Sequence, residues 1–482
     1  MNFKDILVIG NGPTAASFVE QIHESHNVTM ISPGEIKDDT YFGKIRPCNA
    51  SNPWKFSTQT GSETSINLDN NFFQYEYKGP GGLSNSWGAG CSKLNYNDLG
   101  LKPDFLKKLE PYYSICEERV GLISHGSDNL DNYLGSFKKT SQSVKINPRF
   151  NFKNMMSDKL RLGYTRQAIT TVDKSYNRKA CPDCRGTFIH CKNGSVYNAR
   201  NVLKDLKNKI NLIENASAIK ILSNDNGYSV TYEKNKKEEL IKSCILIIAA
   251  GTIESSKLIY SLLSSEDNKY KNLSLKLNHN PMTRLFFFSF KKSRVNNFPA
   301  GQIVGEIIYD QNNSFYLSLV DGISVPTSDI LLNSPIKNKM VYTLIDYIKK
   351  YLVFGFIFFP SIFSNSKIDI CPNKFMISHN ENNNSLIRYS RKIVRKNFYK
   401  NNLILMPKIL SKMLPGSDLH LGSTFPIGDK KYLNVSENCE LNGMSNLFII
   451  DGSWMPLIPE KPHTFTLMAN AIRVADYIKK KF

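Results

Sequence analysis

Gly10 and Gly12, with Ala15 three residues on, stand directly behind the apolar run Ile6-Leu7-Val8-Ile9. That spacing does its chemistry with backbone. A strand ending at Gly10 can turn tightly, Gly12 lets the chain approach a pyrophosphate, and Ala15 lets the next helix pack closely on the strand. The free N–H groups at the helix N-terminus then face the phosphates. A second apolar stretch at 28–31 completes a βαβ unit. Such a second strand ordinarily ends in an acid that binds a ribose hydroxyl. Here it ends in Ser32-Pro33-Gly34, with Glu35 displaced, so Ser32 is left to bond the hydroxyl without charge assistance. The plainer alternative is a turn whose glycines serve packing alone.

Three more stretches carry candidate chemistry. Residues 79–91 hold five glycines with Ser and Asn between them, a backbone-rich surface that can lie against a flat ring or a phosphate. Trp87 within it argues against a freely flexible loop. Cys181-Pro182-Asp183-Cys184, followed by His190-Cys191, has one pair at zinc-ligand spacing but no second pair nearby. Packed thiols, a metal site and redox chemistry all stay open there. Near the C-terminus, His420-Leu421-Gly422-Ser423-Thr424 and Pro462-His463 supply imidazoles, which titrate near neutrality.

The elements that must position these groups follow from periodicity. Apolar residues at three- and four-residue spacings predict a helix over 104–120. A short strand is expected at 166–171, a helix at 201–206, and strands at 211–213, 218–222 and 228–232. A second buried strand at 244–249 runs into Ala250-Gly251-Thr252 and a helix over 253–263, so the opening domain resumes there. Between 282 and 411 the pattern changes to antiparallel strands at 285–288, 303–308 and 315–319. A last buried strand at 446–450 ends in Asp451-Gly452-Ser453, before a final helix. These elements predict an α/β fold. A discontinuous Rossmann-like domain from 1–281 and 412–482 would carry an inserted, mainly antiparallel substrate domain at 282–411.

With 41% apolar and 22% charged residues in 482, the chain has core for two or three domains. The net charge of +20 comes from scattered lysines, with no zinc-finger spacing or RNA-binding signature beside it, so no nucleic-acid partner is expected. It reads as a solvated basic surface, or as attraction to an anionic membrane face or substrate. Met1-Asn2-Phe3-Lys4 leads straight into the first strand, and no signal peptide is expected. Nine cysteines, an odd number, read as reduced thiols of a cytoplasmic protein. The longest apolar run, 351–359, is less than half of the roughly 20 residues a spanning helix needs. It reads as a buried aromatic strand lining a pocket, with a peripheral membrane contact as the alternative, since Lys349 and Lys350 precede it.

Taken in order, these marks resemble the glucose–methanol–choline family of flavin oxidoreductases. The marks are Gly10-x-Gly12-x-x-Ala15, Gly81-Gly82-Leu83-Ser84-Asn85-Ser86-Trp87-Gly88, Ala249-Ala250-Gly251-Thr252-Ile253, His420-x-x-Ser423-Thr424 and Asp451-Gly452-Ser453. The resemblance covers both ends of the chain well and the middle loosely. It implies FAD in an extended form, with Gly10 and Gly12 at its pyrophosphate. Gly82, Asn85 and Ser86 would lie near the isoalloxazine, and Ala218 would offer backbone to the adenine. Ala250, Gly251, Asp451 and Gly452 would complete the site. Some members attach the flavin through a histidine in the glycine-rich loop; Ser86 stands in that place, so non-covalent FAD is expected. The implied reaction is oxidation of an alcohol or sugar hydroxyl, with hydride passing to flavin N5 and His420 as general base. The electron acceptor is left open. An ungapped count puts Pro462 where the family has its second His or Asn, so His463 would take that role after a one-residue shift. A flavin-dependent reductase or isomerase, and a non-catalytic flavoprotein serving assembly, are the alternative functions.

Overall fold

The computed structural model describes residues 5–36, 64–69, 71–124, 126–138, 152–176, 178–182, 191, 193–293, 303–325, 327, 339–407 and 413–482. Its central sheet places Ile6–Ile9 in the middle. Ile245–Ile248 and then Leu447–Ile449 lie on one side, Val28–Ile31 and then Asn211–Ile213 on the other, and every pairing is parallel. Ile6–Ile9, Ile245–Ile248 and Leu447–Ile449 are buried at every position, as parallel strands covered on both faces must be. Three distant parts of the chain thus build one doubly wound sheet. The helix Pro13–Ile22 packs on the C-terminal helix Thr464–Lys481. Ala15 and Ala16 are fully buried on the first of these, as the small-residue position in the fingerprint requires.

The inserted domain is a six-stranded antiparallel sheet in the order Leu403–Leu405, Met282–Ser289, Leu352–Phe358, Ser314–Asp321, Ile303–Ile308, Leu160–Tyr164. It extends beyond residues 282–411, because the edge strand Leu160–Tyr164 comes from much earlier in the chain. The strand expected at 166–171 is not regular; that segment makes single bridges to Gly90, Ile123 and Val196 as it passes beneath the glycine-rich loop. One face of the six-stranded sheet packs Leu285, Phe287, Leu317, Val353 and Ile357 against Val394 and Phe398 of the helix Asn384–Tyr399. Most of the aromatic run at 351–359 supplies an internal strand of this sheet, Leu352–Phe358. Among the described residues, no helix is long and apolar enough to cross a membrane.

Candidate active site

The first turn has two faces. Gly10 has φ +115°, and a Cβ there would stand 2.2 Å from the Ala249 carbonyl, so this glycine allows the neighbouring strand's end to approach. Gly12 has no atom within 4 Å of where a Cβ would lie, and it caps Pro13–Ile22 without a side-chain hydrogen bond. Its face of the turn is open to a ligand. Gly251, at φ +87°, likewise faces open space at the start of the helix Thr252–Glu266. A Cβ on Gly82 would lie 3.1 Å from the Gly12 Cα, so the glycine-rich loop sits directly on the first turn. Open backbone at two helix N-termini beside one another is a cradle that fits a dinucleotide pyrophosphate.

Side chains expected at the cofactor are mostly occupied in building this cradle. Asn85 donates to the Pro80 and Gly82 carbonyls at 2.9 and 2.8 Å and accepts from Asn198 at 2.9 Å. Its amide is a staple of the loop. Trp87 donates to the Tyr197 carbonyl at 3.0 Å, which ties the loop down further. The Ser86 hydroxyl meets the Tyr75 hydroxyl at 3.0 Å. Ser32 donates to the Gly34 carbonyl at 2.8 Å and accepts from Asn11, so toward a ribose it can only accept. Asp451 accepts four hydrogen bonds, from Gly251 N, Ser255 Oγ, Ser453 N and Ser453 Oγ. Burial raises its pKa, and those donors oppose the rise. All its lone-pair positions are taken, so it holds Gly251 and Gly452 in place instead of reaching a ligand itself. Ala218 is half-buried at a bulge in the strand Ala216–Asn224, and Ala250 is half-buried beside Gly251.

The two histidines come together. Their ring centroids are 4.6 Å apart at an angle of 74°. His463 is buried at the start of Thr464–Lys481, and its Nδ1 has no hydrogen-bond partner. Pro462 instead packs its ring on Gly90, where a Cβ would lie 2.9 Å from Pro462 Cγ. The turn therefore presents the imidazole one residue after the proline. Leu421, next to His420, accepts from the Thr252 hydroxyl at 2.8 Å, which ties His420 to the open Gly251 turn. Burial lowers the pKa of His420, against the opposing charge of Asp418. His463 is driven well below the ordinary value by burial and then by His420. Burial thus favours the neutral form of both rings.

Sequence reasoning missed the groups that hold His420. Asn280 Nδ2 donates to the Phe359 and Ile458 carbonyls at 3.0 and 3.3 Å, which fixes the amide orientation. Its Oδ1 then faces His420 Nδ1 at 2.9 Å and can only accept. His420 must carry its proton on Nδ1, leaving the Nε2 lone pair free. Asp418 Oδ2 accepts from the backbone N–H of both Asn280 and His420, at 2.9 and 3.0 Å. Its other oxygen meets His279 Nδ1 at 3.2 Å, while His279 Nε2 meets Glu381 at 2.6 Å. Burial opposes charge on His279, but the two carboxylates prevail and raise its pKa to about 10. Phe358 stacks on His420 at 5.5 Å. The run Asn278-His279-Asn280-Pro281, three polar residues before an aromatic strand, was the available signal.

The chain is similar in fold to pyridoxine 4-oxidase from Mesorbium loti. The match covers 98% of this chain and 99% of that one, with a TM-score of 0.63 and 12% sequence identity. No family model and no curated protein matches the sequence. The likeness establishes the fold: a parallel nucleotide-type sheet with an antiparallel sheet over it. Of the cysteine cluster, Cys184 and His190 lie outside the described residues, and Cys181 and Cys191 are half-buried.

Proposed function

We propose that this protein is an FAD-dependent oxidoreductase that oxidises an alcohol hydroxyl to a carbonyl. The observation that carries this reading is the contact between two buried imidazoles, with His420 tied through Leu421 and Thr252 to the open Gly251 turn. A flavin held by those turns would supply the hydride acceptor. His420 Nε2, with its lone pair aimed away from Asn280, takes the hydroxyl proton. His463, buried with Nδ1 unpartnered, would bond the same substrate oxygen. Phe358 shields the His420 ring and keeps water from its face. The fold likeness to an oxidase that its name assigns to pyridoxine supports an alcohol donor.

The test begins with the absorbance spectrum of the purified protein. Flavin peaks that pass wholly into the supernatant after acid precipitation are expected, because Ser86 in the glycine-rich loop offers no histidine nitrogen for a covalent bond to the flavin. Anaerobic addition of aromatic and aliphatic alcohols should then bleach the flavin. A protein that cannot be loaded with FAD, or a loaded one bleached by no alcohol, would overturn the reading.

A further inference from the structure

The second face of the six-stranded sheet is the wall of the site. Met282 pairs with Phe358, Arg284 with Phe356, and Phe286 with Phe354, so these six side chains share one face. Phe358 on that face stacks on His420. Two residues along, the Arg284 guanidinium lies 5.9 and 6.0 Å from the Phe286 and Phe356 rings. Among the described residues it has those ring contacts and no carboxylate or hydrogen-bond acceptor. Burial alone lowers its pKa, with no neighbouring charge contributing. A guanidinium stays charged in such a place and presents a fork that matches an oxyanion. Arg284 is half-buried, whereas the buried Arg166, Arg178 and Arg473 are all bonded: Arg166 to Asp128 and Asp131, Arg178 to four carbonyls, and Arg473 to Asn470, Asn438 and the Glu437 carbonyl. Arg284 differs in having its fork unused.

We propose that Arg284 binds an oxyanion of the substrate, so that the alcohol oxidised here carries a carboxylate or phosphate on an apolar, flat body. Residues two apart on one strand face are about 7 Å apart. Phe358, against His420, and Phe356, against the guanidinium, are two such residues, so a flat aromatic body lying along them would present its hydroxyl toward His420 and its anion toward Arg284. The inference rests on the alcohol-oxidising reading. The test compares anaerobic flavin reduction by benzyl alcohol, 4-(hydroxymethyl)benzoate and 4-(hydroxymethyl)phenyl phosphate in wild type, Arg284→Met and Arg284→Lys. Calorimetric binding of the unreactive 4-methylbenzoate and 4-methylphenyl phosphate to the same holoenzymes is measured alongside. An oxyanion preference of roughly 10-fold or more is expected for a charged hydrogen-bonded pair. It should fall to near unity in Arg284→Met and return in part in Arg284→Lys, and the better of the two anions identifies the group. Equal use of benzyl alcohol and both anions, or anion binding undiminished in Arg284→Met, would overturn the assignment while leaving the alcohol reading intact. If no alcohol reduces the flavin, the alcohol reading falls, and the binding measurements still decide the role of Arg284.

A separate surface supports a second inference. The helix Lys339–Ile348 has seven apolar residues in ten, yet none of the nine whose exposure is described is buried. Met340, Leu344 and Tyr347, at i, i+4 and i+7, are 82%, 58% and 63% exposed. The patch continues through ring contacts. Lys350 Nζ lies 3.5 Å over Tyr347 and 5.5 Å over Tyr351, Tyr351 meets Phe288 at 6.2 Å, and Phe288 meets Phe290 at 5.4 Å. Phe290 is 71% exposed and is followed by exposed Lys291 and Lys292. The one carboxylate on the helix, Asp346, is paired with Lys349. An apolar stripe edged by lysines, on a chain of net charge +20, is complementary to an anionic bilayer surface. We infer that this face docks the protein on anionic lipid. Wild type should sediment with vesicles of equal parts phosphatidylcholine and phosphatidylglycerol at physiological ionic strength, and not with phosphatidylcholine alone. The variant Met340→Ser/Leu344→Ser/Tyr347→Ser should lose that binding. Absence of wild-type binding, or undiminished binding by the variant, would overturn the inference. So would light scattering that shows a wild-type dimer dissociated by the same substitutions.

Discussion

His420 is held neutral by burial, and its proton sits on Nδ1 because Asn280 has only an acceptor to offer. A base in that state works once deprotonated. Flavin reduction should therefore rise with pH along an acid limb below the ordinary histidine value of 6.5 and then level off. His420→Ala should retain bound flavin and slow reduction by roughly a hundred- to ten-thousand-fold. Stopped-flow bleaching measures both. Asn280→Asp would place a carboxylate on Nδ1, which favours the imidazolium and should move the acid limb to higher pH. An unmoved limb in Asn280→Asp would show that His420 is not the titrating base. The lowered pKa values also bear on stability. The unfolded chain accepts protons that the buried rings refuse. The contribution is thus present above about pH 6.5 and is lost as pH falls through the lowered folded values of His420 and His463.

The strand-to-turn junctions are where local rules and tertiary demands meet. Asp451 joins the end of Leu447–Ile449 to the start of Thr252–Glu266 through Gly251 and Ser255. Asp451→Ala would leave buried donors without an acceptor, at a cost of roughly 3 kcal/mol. Denaturant midpoints should show this loss, together with weaker FAD retention, since Gly251 would no longer be held. Gly10→Ala would put a methyl 2.2 Å from the Ala249 carbonyl in a backbone conformation that L residues avoid. It should yield little folded protein, whereas Gly12→Ala, with open space around it, should fold and lose flavin affinity. Expression yield and flavin content separate the two.

At the scale of the whole molecule, His279 is the knot between layers. It follows the strand Leu273–Leu277 and is gripped by Glu381, beyond the strand Lys374–His379, and by Asp418, which also sets His420. Its pKa is raised to about 10, so its stabilising contribution is complete below about pH 6.5 and is lost as pH rises toward 10. Removing one partner from a buried charge cluster costs roughly 3–5 kcal/mol. His279→Gln should lower the unfolding free energy by about that much at pH 6 and by much less at pH 10. Urea titrations at the two pH values check it, and a pH-independent loss would show that packing, not charge, is what His279 contributes.

The sequence by itself determined the parallel sheet and its turns. Runs such as 6–9 and 244–249 are apolar without alternation, and the glycines behind them are dictated by backbone sterics within a few residues. The helix at 104–120 is legible from its three- and four-residue apolar spacing and that at 253–263 from the small-residue turn before it, with observed bounds of Pro103–Val120 and Thr252–Glu266. Only the tertiary structure decided how the site is built. Asn280 and His420 are 140 positions apart, and His279 and Asp418 are 139 apart. Leu160–Tyr164 joins a sheet whose other strands begin at Met282, because pairing depends on which edge is left open, not on the five residues themselves. The sequence likewise showed Arg284 as one lysine or arginine among 62. Strand register alone turned it onto the face that Phe358 shares with His420.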